Sequence, residues 1–173
     1  MVLLGCTDGD GNVFVVDEHA ERMWLPQRHA AGVKAMLGRH GLEVSQLRRV
    51  VAGADVFSRQ ADGTTIAQQY QREGIKLRPA NMDRVNGWAE ILQRLGDGEA
   101  KILPTLFIHQ RCGRLVETLP AMQHDPHRPE DVLKVDCDED GVGGDDAADY
   151  LRYLADGDAE EAKGGVGQLA VSS

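Results

Sequence analysis

The sequence predicts an α/β fold in which a mixed sheet is flanked by helices. Two patterns predict it. Two apolar, β-branched runs stand either side of an Asp-Gly turn at the start of the chain, a strong short-range hairpin signal. After them, short apolar runs alternate with segments whose apolar residues recur at helical spacing. The 173 residues make one domain long enough to bury a core, without internal repeats.

Val2 to Thr7 and Asn12 to Asp17 form the hairpin, joined by Asp8-Gly9-Asp10-Gly11. The acids of this turn touch the calcium-loop pattern, but Val13 stands at its sixth position and His19 at its twelfth, so a plain turn is expected. Pro26 opens a helix to about His40, with Ala30, Val33 and Leu37 on one face and Gly41 as its stop. Leu47 to Ala52 reads as a strand ending at Gly53-Ala54-Asp55. Thr64 to Glu73 reads as a helix with Ile66, Ala67 and Tyr70 facing inward, and Ile75 to Arg78 as a short strand. Asp83 caps the next helix, in which Val85, Trp88, Leu92 and Leu95 fall at core spacing. Gly87 inside that helix costs about 1 kcal/mol relative to Ala, which points to a neighbouring helix approaching its backbone closely.

Leu106 to Ile108 is a further strand, and Leu115, Val116 and Leu119 define a helix that Pro120 ends or kinks. From Asp131 a strand-like apolar run leads into a dense acidic loop, then Gly143-Gly144, then a last helix. Residues 156–173, rich in Gly, Ala and charge, are expected to be a disordered tail, leaving 1–155 as the domain.

Charge is distributed unevenly. Residues 1–135 are balanced, whereas residues 136–173 hold 2 basic and 11 acidic residues and so carry the whole net charge of −9. An acidic chain usually argues against nucleic acid, but metal-dependent nucleases keep an acidic centre beside a basic flank. No apolar run approaches the roughly 18 residues of a membrane span, and the N-terminus lacks the basic region of a signal peptide. Cys6, Cys112 and Cys137 are far apart, as expected of reduced thiols in a cytoplasmic protein. The chain has no G-x-S-x-G, Walker A or G-x-G-x-x-G segment, so acyl transfer, ATP hydrolysis and dinucleotide binding lack support.

The acids are the candidate chemistry. On the last helix Ala147, Tyr150, Leu151 and Leu154 share the core stripe, and Asp145, Asp146, Asp149, Arg152 and Tyr153 take the neighbouring arc. Asp146 and Asp149, three apart at a helix N-terminus, would project side by side where the helix dipole favours ionised carboxylates. With Asp55, which follows an apolar strand, they could hold a hard cation through oxygen ligands. The plain alternative is that acids belong in the first turn of any helix and Asp55 is a turn aspartate. Asp136, Asp138, Asp140 and Gly141 fit D-x-D-x-D-G, but Ala147 stands where a calcium loop needs a bidentate Glu. His124 and His127 with Cys137 lack a fourth zinc ligand at suitable spacing. Arg48, Arg49, Arg78, Arg84, Arg111 and Arg114 could reach phosphates, although surface cations are mostly solvated.

These segments resemble one family, the nuclease domain at the C-terminal end of the large terminase subunit of tailed bacteriophages. The likeness runs through LLGCTDGDGNVFVVDEH, RRVVAGADVF, NGWAEIL, LFIHQRC and EDVLKVDCDEDGVGGDDAADYLRYL, covering nearly all of residues 2–154. Its most specific part is Asp149 followed by Arg152 and Tyr153. The resemblance implies a ribonuclease H-like sheet and two-metal hydrolysis of double-stranded DNA, with two Mg²⁺ or Mn²⁺ ions. It assigns Asp55 to the acid at the end of the fold's fourth strand, Asp149 to the acid on the final helix, and Asp146 to an auxiliary ligand or proton carrier. The partners it implies are the terminase ATPase domain, the small terminase subunit and the portal, in the bacterial cytoplasm.

The chain departs from the family in two respects. The family's first catalytic acid lies on a first, central strand preceding a segment like Val2–Thr7, and the N-terminal ATPase is absent. Either the chain is truncated, or another segment fills the central position. The alternative to an endonuclease is therefore a cleavage-incompetent remnant that binds DNA or packaging partners.

Overall fold

The computed structural model describes residues 1–137, 143–155 and 165–171. Its strands are β1 (Val2–Thr7), β2 (Val13–His19), β3 (Arg49–Ala52), β4 (Arg78–Pro79), β5 (Leu106–Ile108), β6 (His124–Asp125), β7 (Arg128–Val132) and β8 (Gly165–Val171). Its α-helices are α1 (Pro26–Arg39), α2 (Ile66–Arg72), α3 (Arg84–Leu95), α4 (Gly113–Thr118) and α5 (Asp146–Ala155). Six strands form a mixed sheet in the order β4-β3-β8-β1-β2-β5, and β6 and β7 make a separate hairpin. The α/β expectation, a mixed sheet flanked by helices, holds.

Local chemistry accounts for the leading hairpin. The Asp8 carboxylate accepts from the backbone N–H groups of Asp10 and Asn12 at 3.0 and 2.9 Å, closing an Asx-type turn between β1 and β2. The Asp8 carboxylate serves the turn. Thr65 caps α2 with a reciprocal capping box through Gln68, and Asp83 caps α3 by accepting from Asn86 N–H.

The sheet is covered on both faces because its strands alternate. Leu3, Val13, Val15, Val51 and Ala170 face one core, with Trp88, Ile91, Leu115 and Leu151 of the helices. Val2, Leu4, Val50, Ala52 and Leu169 face the other, with Val33, Met36, Leu37 and Tyr70. Side chains one residue apart thus enter opposite cores, as the period of a strand requires. Gly5 lies where α5 comes closest: a Cβ there would run into the Leu154 side chain.

The tail expectation is corrected at residues 165–171. They form β8, parallel to β3 and antiparallel to β1. Leu169 and Ala170 are fully buried. The seven residues GVGQLAV lack a charge that would keep them in water, and the composition of the surrounding segment hid this short apolar run. The central position is therefore filled by a later segment. Residues 138–142, which hold three of the loop acids, and 156–164 lie outside the described residues.

Gln168, polar in a central strand, is satisfied by Arg49, whose Nε donates to its Oε1 at 3.2 Å. The same guanidinium donates to the carbonyl of Tyr153 at 3.1 Å, so one cation ties β3 and β8 to the C-terminal end of α5. Arg49 is thus a structural clasp and differs from the solvated cation expected.

Three further expectations change. The short strand placed at 75–78 is Arg78–Pro79. The strand-like run at Asp131 is the end of β7, outside the main sheet. In α3 the buried face is Gly87, Trp88 and Ile91, while Val85, Leu92 and Leu95 are exposed. Those three line an open apolar cavity of about 350 Å³ with Leu119, Met122 and Val132. The helix is rotated because α5 needs the Gly87 face. Among the described residues, no helix is long and apolar enough to cross a membrane.

Leu169 supplies the test of β8. Leu169→Ala should cost about 2–5 kcal/mol, read as a lowered urea midpoint, and truncation after residue 164 should abolish cooperative unfolding. A truncated chain as stable as the parent would remove β8 from the core.

Candidate functional site

One row of paired residues crosses the sheet. Ala52 pairs with Val171, Val171 with Val2, and Val2 with His19. The chain leaving β3 after Ala52 enters a 3₁₀ turn, Ala54–Phe57, which carries Asp55 in an exposed position. Helix α5 runs antiparallel to β3: its C-terminal carbonyls meet Arg49 at the start of that strand. Its N-terminus, with Asp145, Asp146 and Asp149, therefore lies at the Asp55 end of the sheet.

The segment Asp149-Tyr150-Leu151-Arg152-Tyr153 does three different jobs. Asp149 accepts from Arg84: both of its oxygens lie 2.9 Å from Nη1. Arg84 also donates through Nε to Asp131 at 3.1 Å and through Nη2 to the Val132 carbonyl at 3.2 Å. Its Nη2 stands 3.9 Å from Asp145. One guanidinium, only 17% exposed, is thus the shared counter-ion of three carboxylates. Burial alone would lower the Arg84 pKa; Asp149 and Asp131 outweigh it and raise it. Burial pulls Asp131 upward, but the Val132 N–H and Arg84 hold its carboxyl below the usual range.

Arg152 is 1% exposed. Its Nη1 donates to the carbonyls of Asn81 and Asp83 at 3.2 and 3.3 Å, and its Nε is 3.5 Å from Asp149. It lies across Gly87, where any Cβ would overlap its Cγ and Cδ. This is the close approach that the helix glycine signalled, and it comes from a packed helix as expected. The neighbouring-arc placement of Arg152 and Tyr153 is corrected, for both are buried.

Tyr153 closes the constellation. A Cβ on Gly53 would sit 2.7 Å from Asp55 Oδ1 and 3.5 Å from the Tyr153 hydroxyl, so carboxylate and phenol share one small space. Burial, and then Asp149 and Asp55, raise the Tyr153 pKa. Tyr153 is therefore within electrostatic reach of both acids, one on the strand end and one on the helix.

Asp146 stands apart. It is exposed and lines a different cavity, with Met1, Trp24, His29, Arg114 and Cys137. Asp146 and Asp149 thus project toward different neighbours, and the side-by-side arrangement is not formed. Asp145 is the buried acid of the turn, 8% exposed. Its Oδ2 has no hydrogen-bond partner among the described residues. Burial and then Asp149 push its carboxyl above the usual range.

Oxygen donors of the kind a hard cation takes are present, but the residues as arranged do not fit a two-ion centre. Asp149 is engaged by Arg84, and Asp146 faces another cavity. β8 contributes no acid. Among the described residues, no group of three or more His, Cys, Asp or Glu is placed to hold a metal ion. Sequence reasoning missed Asp131 and the anchoring role of Arg152. Gly87 was the one signal that could have found the latter. His124 and His127 belong to the β6–β7 hairpin and its turn.

No family model, curated protein or solved structure matched the chain.

Two substitutions test this geometry. Gly87→Ala must displace Arg152 and should cost about 1–3 kcal/mol by overpacking, seen in denaturant melts. Asp145 has a raised folded pKa, so the native state binds more protons than the unfolded one and stability falls as pH rises through that range. Asp145→Asn should therefore raise the melting temperature at pH 7, with the gain disappearing below pH ~4, near the unfolded carboxylate pKa.

Proposed function

We propose that the chain is a ribonuclease H-like nuclease domain of the kind found in phage terminase large subunits, acting on double-stranded DNA. The observation that carries this reading is Asp55 beside the buried phenol of Tyr153, on the same helix as Asp149, at one end of the sheet. Strand order also supports it. If the family's central first strand is counted as position one, β3 becomes the fourth strand, and Asp55 follows it. β8 lies where that first strand is expected, between β1 and β3. The reading brings with it Mg²⁺ or Mn²⁺, the ATPase domain, small subunit and portal as partners, and the bacterial cytoplasm as its place of action.

Arg84 sets a condition on this activity. Asp149 must be released from the guanidinium before it can serve any other cation. A DNA phosphate is a fitting competitor, because a guanidinium binds phosphate and carboxylate oxygens with the same planar geometry.

A second reading has its own support. β8 lacks an acid where the family carries its first one, and Asp149 is already neutralised. These favour a domain that binds DNA or packaging partners without cutting.

Supercoiled plasmid titrated with Mn²⁺ separates the two. On the first reading the parent nicks plasmid, and Asp55→Ala and Asp149→Ala each lose at least the ~100-fold that outer-shell changes around metal sites can cost. Equal nicking by the variants would remove both assignments. Duplex binding without nicking would establish the second reading, and absence of both would overturn the two together.

A further inference from the structure

The row Ala52–Val171–Val2–His19 also fixes where the β2–α1 loop, residues 20–25, leaves the sheet. It emerges from the same end as Asp55, three strand spacings away, or about 14 Å. That separation is comparable with the ~12 Å width of a B-DNA major groove, so one duplex can reach both.

The loop is built to hold its tip outward. Met23 is 98% exposed and has φ 59°, a backbone conformation that L residues rarely adopt. Leu25 is 72% exposed. Beneath them the chain is firmly packed. The rings of His19, Trp24 and His29 form a triangle with centroids 5.4–5.8 Å apart. The Arg28 guanidinium lies 3.7 Å from the Trp24 ring centroid. His29 is 7% exposed, and a Cβ on Gly32 would overlap the His19 ring. An apolar side chain held outward on a braced base has the shape of a wedge that can enter a partner.

Cations beside the apolar tip point to the partner class. Arg22 and Arg28 are exposed on either side of the tip. Arg114 faces Arg22 and Trp24 across a cavity of about 410 Å³. Glu21 and Asp146 are the acids on that cavity. Arginines beside an apolar side chain at a loop tip suit a duplex: guanidinium groups take backbone phosphates while an apolar wedge enters between base steps.

We infer that the β2–α1 loop is a DNA-contacting element, with Arg22, Arg28 and Arg114 on the phosphates and Met23 as the wedge. This rests on the proposal that the domain acts on double-stranded DNA, and it adds where and how the duplex is held.

The test measures binding of the full chain to a fluorescent 25-bp duplex by anisotropy, without divalent cations, over a series of salt concentrations. Arg22→Gln with Arg28→Gln should flatten the log K against log salt slope by about two, one per phosphate contact. Met23→Gly relieves the left-handed backbone and keeps the fold, as a thermal melt checks. It should weaken binding roughly fivefold or more, with the slope unchanged and the duplex less bent by energy transfer between its ends. Normal affinity and slope in both variants, on a parent that binds duplex, would overturn the loop assignment alone. That outcome together with lost self-association or lost capture of the ATPase domain would make the tip a protein-docking site instead. A parent that does not bind duplex would overturn the DNA reading itself.

Discussion

The sheet depends on β8. Strands β3 and β4 on one side and β1, β2 and β5 on the other pair with each other only through it. Its backbone hydrogen bonds join a parallel neighbour to an antiparallel one, and Leu169 and Ala170 enter opposite cores. Without β8 both halves would bury unpaired edges, and each unpaired backbone group is costly away from water. A segment that follows the last helix thus completes the middle of the sheet. The placement of Asp55, Met1 and His19 along one edge follows from that pairing.

The second dependency is the seat of α5. Leu154 needs the bare backbone of Gly5, and Arg152 needs that of Gly87. Arg49 holds the far end of the helix through the carbonyls of Tyr153 and Leu154. With its C-terminal end and two flanks fixed, the helix gives its N-terminal acids little freedom to rearrange. Their mutual repulsion is relieved by Arg84, which takes Asp149, Asp131 and, at longer range, Asp145. A buried network of this kind is strongly destabilised when one partner is removed, because the remaining charge is left uncompensated. The acids here are therefore part of what holds the helix in place.

Hydrophobic periodicity made the helices and the hairpin legible, since the turn at Asp8 and the caps at Thr65 and Asp83 are local devices. It misplaced the buried face of α3. The Val85, Leu92 and Leu95 stripe has the right spacing, yet the face used is the one with Gly87, because backbone approach by Arg152 outweighs apolar content. It also lost β8, whose seven uncharged residues are flanked by a Gly- and acid-rich segment that reads as disorder.

For the site, the sequence by itself picked out Asp55, Asp146 and Asp149 but not Asp131, and spaced Asp149, Arg152 and Tyr153 along one helix. A helix fixes the relative positions of residues three and four apart. Only the tertiary structure decided what each acid faces. Asp149 meets Arg84 from α3, Asp146 turns to the cavity beside Met1, and Asp55 comes to Tyr153 across Gly53. These neighbours come from segments far apart in the chain, and they are set by strand order and helix rotation, which no local spacing encodes.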